Sequence, residues 1–133
     1  MTHFQQFWIL TAIWFTWTEC MVFWNYDLIK HNKRPSHSLN FAVSFLLAFN
    51  LCFFGFGYNT WFMICAMVYC GCIYSALFNW HLNKLRHLPW DYLGSGPGAS
   101  IIDRIEASMK NPGGVLGIKI VLALMSSFVL MDL

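Results

Sequence analysis

The sequence predicts an all-α integral membrane protein, with four transmembrane helices and a short amphipathic helix on the cytoplasmic side. Three observations lead there. The stretches Phe4–Trp24, Leu39–Gly57, Thr60–Trp80 and Gly113–Met131 are apolar and close to the about 20 helical residues that a bilayer core of about 30 Å requires. Charged residues make up only 11% of the chain against 58% hydrophobic, whereas a soluble domain carries roughly 25% charged. The charges also collect in the connections, and only Glu19 and Lys119 fall well inside apolar stretches.

Each stretch is expected to be helical because backbone groups in hydrocarbon must satisfy one another within the segment. A barrel would alternate apolar and polar residues, but Phe45–Phe49 and Val121–Met125 are continuously apolar. The first stretch reads as a retained helix. A cleaved signal starts with positive charge and ends in small residues, while Met1–Gln6 has no Lys or Arg and Met21–Trp24 is bulky. Pro35 in the first connection, Asn25–Ser38, precedes the second helix. The connection around Gly55–Asn59 is short and uncharged, which forces the second and third helices into a hairpin.

The third connection, His81–Pro112, is the only sizeable part outside the spans. It contains a turn at Gly94–Gly98 and then a mini-helix over about 100–110. Ser100 and Asp103 form an S-x-x-D cap, and Glu106 and Lys110 an i,i+4 pair. Ile101, Ile102, Ile105 and Met109 share one face, which suits a helix lying in the membrane interface. The length allows one bundle over residues 1–133 and no separate globular domain.

Lys and Arg in short loops mark the cytoplasmic side. Lys30, Lys33 and Arg34 lie in the first connection, and Lys84, Arg86, Arg104 and Lys110 in the third. Four crossings put these two clusters on one side and both termini on the other, and the basic residues are expected to contact headgroups. Trp and Tyr near the span ends favour headgroup depth. Trp14 and Trp17 sit deeper, where they fill helix contacts or face lipid. The net charge of +2, with no basic run on a soluble face, excludes nucleic acid as a partner.

Glu19 and Lys119 are costly in lipid, at about 2.5–3.5 kcal/mol each near a span centre. The topology puts them at similar depth, so they are expected to form an intramembrane ion pair joining the first and fourth helices. Small residues recur every fourth position at Ala12, Thr16 and Cys20, again at Ser44, Ala48 and Cys52, and as Gly113 and Gly117, continued by Ala123 and Ser127. Such faces let helices approach closely, within one chain or in a homo-oligomer. Asn50 is expected to hydrogen-bond across helices.

The odd set of five cysteines inside spans argues for packing residues and against a disulfide framework. The histidines carry no metal-site signature and are expected to make loop and headgroup contacts. No cofactor and no metal is expected. Gly94–Gly98 lacks the Gly-Lys-Ser/Thr and the preceding strand of a phosphate loop. No Ser-His-Asp set, nucleophile elbow or carboxylate pair is present, so the chain is expected to be non-enzymatic.

Asn83-x-x-Arg86-x-x-Pro89-x-x-Tyr92-x-Gly94, followed by Ile101-Ile-Asp103-Arg104-Ile105, resembles a segment of small uncharacterised multi-spanning membrane proteins of Bacteroidetes phages and prophages. Asp27 with Lys33-Arg34-Pro35-x-His37 is similar to the same group. The Gly-Pro-Gly segment and the fourth helix depart from its pattern. The resemblance implies a viral or bacterial setting and no particular chemistry. On that basis the expected role is a structural component of a bacterial inner membrane or a phage virion membrane. The alternatives are a holin-like lysis protein or small channel, and an accessory subunit of a bacterial membrane complex. The expected partners are the lipid bilayer and further copies of the chain or a larger assembly.

Overall fold

Why four apolar stretches become helices of unequal length is a matter of their ends. The computed structural model describes residues 2–56, 60–92, 104–105, 108–109 and 112–131. Its helices are α1 (His3–Lys30), α2 (His37–Phe56), α3 (Thr60–Leu85) and α4 (Pro112–Leu130), and no strand occurs among the described residues. The turn expected at Gly94–Gly98, most of the 100–110 mini-helix and its capping and i,i+4 pairs, and the centre of the second connection lie outside the described residues. Of that mini-helix, Ile105 and Met109 are exposed, and the Ser108 hydroxyl donates to the Ile105 carbonyl at 2.6 Å.

α1 starts in a reciprocal cap. Thr2 Oγ1 accepts from the Gln5 N–H at 3.3 Å, and Gln5 Oε1 accepts from the Thr2 N–H at 3.0 Å. The helix continues past the apolar limit at Trp24 to Lys30 and closes where Asn32 turns left-handed at φ 55°. There the Lys33 N–H reaches the Leu28 carbonyl, and the Asn32 N–H the Ile29 carbonyl. α3 closes in the same way, with His87 at φ 56° and the Leu88 N–H on the Asn83 carbonyl. Asn tolerates this conformation better than most side chains. Ser36 opens α2, its hydroxyl accepting from the Leu39 N–H at 3.3 Å.

α3 is the hub of the bundle, with α1, α2 and α4 all packed against it, while α1 and α4 barely touch. Residue pairings give the directions. α1 and α3 run parallel, since Thr11 meets Tyr69 and Glu19 meets His81. α2 runs antiparallel to α1, since Asn40 meets Asn25 and Ser44 meets Trp17. α4 packs along α3 with Lys119 at Ser75. The core holds Phe7, Leu10 and Trp14 of α1, Ala48 and Cys52 of α2, and Ala66, Tyr69 and Cys70 of α3.

Three helices are long and apolar enough to cross a membrane: α1, α3 and the Gly113–Leu130 part of α4. That places the chain in a membrane by length and composition. The count differs from the four expected from the sequence: among the described residues α2 contributes only the apolar run Ser38–Phe54.

Candidate polar site at the loop-bearing end

Polar side chains in apolar helices need partners, because an unpaired polar group in hydrocarbon costs several kcal/mol, on the order of a lost hydrogen bond or more. In this bundle most of them find partners across helices, and most of those partners lie toward one end. At that end α1 and α3 finish and α2 and α4 begin.

Asn25, buried at 1% exposure, donates to its own Met21 carbonyl and accepts from Asn40 Nδ2 at 2.7 Å, which ties α1 to α2. Ser44 ties α2 to α1, accepting from Trp17 Nε1 at 3.0 Å. Trp14 Nε1 donates to the backbone carbonyl of Cys70 at 2.7 Å. A small side chain at position 70 leaves that carbonyl within reach of the indole. Thr11 Oγ1 donates to the Phe7 carbonyl at 2.8 Å, so its bond with Tyr69 at 3.1 Å has the phenol as donor.

Glu19 and Lys119 are not partners. Glu19 Oε2 accepts from His81 Nδ1 at 2.7 Å, and both side chains are half-buried. Lys119 Nζ donates to Ser75 Oγ at 2.5 Å. Both charged residues are therefore satisfied by α3, which separates α1 from α4. Their partners on α3 lie six residues apart, about 9 Å at 1.5 Å per residue, so the two charges meet α3 at different levels. His81 was legible as a partner for Glu19, since it follows the third stretch directly. Among the described residues, no group of three or more His, Cys, Asp or Glu is placed to hold a metal ion.

Asn50 also departs from expectation. It is exposed and donates within its own helix, to the Leu46 carbonyl at 2.7 Å. The small-residue faces divide. Ser44, Ala48 and Cys52 are buried, as are Ala123 and Ser127, whereas Ala12, Thr16, Cys20, Gly113 and Gly117 are exposed. A Cβ added at Gly117 would meet nothing within 4 Å. Thr16 donates to the Ala12 carbonyl at 2.9 Å, which keeps its hydroxyl satisfied on the outward face. The five cysteines are free, and Cys52 of α2 and Cys70 of α3 are both buried in the core.

Of the residues expected at headgroups, Lys30, Lys33, Arg34, Lys84, Arg86 and Arg104 are exposed, and Lys110 lies outside the described residues. Lys84 Nζ stands 5.4 Å from the Trp80 ring centroid. Beyond α3, Asn83 Nδ2 donates to the Tyr92 carbonyl at 2.8 Å and to the Trp90 carbonyl at 3.4 Å. This folds residues 88–92 back over the helix end. The folded-back segment, α3 and α4 enclose a cleft of about 40 Å³ lined by Ser75, Asn79, Asp91 and Lys119 among others. This cleft is not legible in the sequence, because nothing local marks Asn83 as the residue that returns the chain.

The fold and this polar layer together define an all-helical bundle of membrane-spanning type. No protein-family model, curated protein or solved structure matches the chain.

Proposed function

We propose that this chain is a non-enzymatic integral membrane protein that crosses the bilayer four times and serves as a structural component of that membrane. One observation carries the reading. The inter-helix hydrogen bonds close within the bundle, while large apolar residues such as Phe15, Leu46, Ile118 and Met125 cover its outside. Such a surface suits lipid contact, and among the described residues it carries no polar face along which ions would move.

The fourth crossing is supported by position. α2 has 20 residues, about 30 Å at 1.5 Å per residue. It lies antiparallel along α1 and packs on α3, so a membrane crossed by those two surrounds α2 as well. Both termini then lie on the non-cytoplasmic side, and the exposed Lys and Arg of the first and third connections face the cytoplasm. The resemblance to phage and prophage proteins makes a bacterial inner membrane or a virion membrane the setting. The outward small faces on α1 and at the start of α4 support self-association.

The holin-like alternative draws on Asn50, an exposed amide midway along α2 that would line a passage between copies. Expression from an inducible promoter separates the two. Tags at the two ends should be cut from the same side by added protease, and the membrane potential should persist at full expression. Abrupt depolarisation would replace the structural reading with the pore.

A further inference from the structure

α2 has two opposite faces. Ser44, Ala48 and Cys52 are buried on the side that packs on α1 and α3. Asn50 stands two residues past Ala48, which at about 100° per residue turns it about 160° away from that side. Its Nδ2 donates to the Leu46 carbonyl of its own helix, and among the described residues its Oδ1 accepts from nothing. α4 makes no contact with α2 among the described residues, so no described helix of the same chain reaches this amide. An amide left so in hydrocarbon is costly.

The residues around it form a pattern. Leu39, Val43 and Leu46 are exposed on the same side of the helix as Asn50. Their spacing of four, three and four is that of a heptad seam, with Val43 and Asn50 at a positions and Leu39 and Leu46 at d. A β-branched residue at a with Leu at d favours two parallel strands, and a single Asn at a fixes their register. We propose that this face of α2 binds the same face of a second copy of the chain, as a parallel two-fold pair in which the two Asn50 amides hydrogen-bond to each other. Lipid tails cover Leu and Val as well as a protein does, so the amide is what makes a second copy preferable to lipid.

Depth decides between parallel and antiparallel pairing. Asn50 lies about 5 Å beyond the centre of α2, at 1.5 Å per residue. Copies inserted the same way round bring the two amides to one level, whereas opposed copies would hold them about 10 Å apart along the helices. Each amide still has an acceptor oxygen and a second N–H, so the pair is self-complementary. The outward small face of α1 permits close approach but offers no such bond, because the Thr16 hydroxyl already donates to the Ala12 carbonyl. The interface rests on the membrane reading proposed above, since it needs hydrocarbon around α2, and it closes Asn50 off from any passage.

The test is resonance energy transfer between full-length chains carrying donor or acceptor dyes on carboxy-terminal tags, in phosphatidylcholine vesicles over a range of lipid dilutions. Wild-type transfer should exceed that of random encounters and rise linearly with the acceptor fraction, as it does for pairs. Asn50→Leu removes the amide and keeps the apolar surface, and it should weaken association by about tenfold. Bulk at Leu46, whether an indole or a spin label, stands in the seam and should keep the copies apart. Far-UV circular dichroism checks that the variants keep their helices. Unchanged association in a helical Asn50→Leu variant overturns the pair. So does a curved rise with acceptor fraction, which marks a larger ring and returns Asn50 to the passage of the holin-like reading. Flotation with the vesicles keeps the two claims apart. A chain that floats but shows only random transfer loses the α2 pair alone, and one that fails to float loses the membrane reading too.

Discussion

Two stripes with the same sequence pattern meet opposite fates. Ala12, Thr16 and Cys20 of α1 and Ser44, Ala48 and Cys52 of α2 are both small residues at every fourth position. The α2 stripe is buried and the α1 stripe faces outward. The difference comes from the other residues on each helix. α1 carries Phe7, Trp14 and Trp17 on a second face, and two of these are indoles with an N–H that must find an acceptor. That face is directed inward, and it needs small residues opposite. The α2 stripe and Ala66 with Cys70 of α3 provide them. A small-residue repeat therefore records only that close approach is permitted. Which face is used depends on where the bulky polar-tipped residues have to go.

Substitutions in the two stripes and faces should separate accordingly, read as unfolding free energy in mixed detergent–dodecyl sulfate micelles. The largest effect is expected for Trp14→Ala, which empties a buried site and removes the bond to the Cys70 carbonyl, at about 3–5 kcal/mol. The adjacent and exposed Phe15→Ala should cost far less, within about 0.5 kcal/mol. Equal costs would mean that α1 has no preferred inner face. Ala48→Leu should destabilise by about 1–3 kcal/mol through overpacking against α1 and α3.

Ser44→Ala should cost about 1 kcal/mol, since it strands the Trp17 indole N–H. Thr16→Leu, in the outward stripe, should leave unfolding within about 0.5 kcal/mol of wild type. It should nevertheless reduce cross-linked dimer in bilayers if copies meet there. A Thr16→Leu variant as unstable as Ala48→Leu would erase the distinction between the stripes.

The sequence was most informative along the membrane normal and least informative around each helix. Apolar limits at Trp24 and Trp80 fall short of the helix ends at Lys30 and Leu85. Hydropathy reports where hydrocarbon stops, whereas the backbone continues until Asn32 and His87 turn left-handed. Glu19 and Lys119 were legible as charges inside apolar stretches, but their partners His81 and Ser75 depend on α3 standing between α1 and α4. Asn50 was legible as a polar residue in mid-span, but its outward direction follows from which face of α2 meets α1 and α3. The cleft at Lys119 depends on the return of residues 88–92, a long-range fold carried by one amide.

The central proposal is that hydrocarbon surrounds this bundle on four crossings, with α2 as the fourth. Leu46 lies midway along α2 and is 59% exposed. A nitroxide attached at Leu46→Cys, with the native cysteines replaced by alanine, reports its surroundings through relaxation by two quenchers. In lipid vesicles, relaxation should be strong with oxygen, which concentrates in hydrocarbon, and nearly absent with a water-soluble nickel chelate. Strong relaxation by the chelate would put α2 at the aqueous surface, and the four-crossing bundle would be wrong.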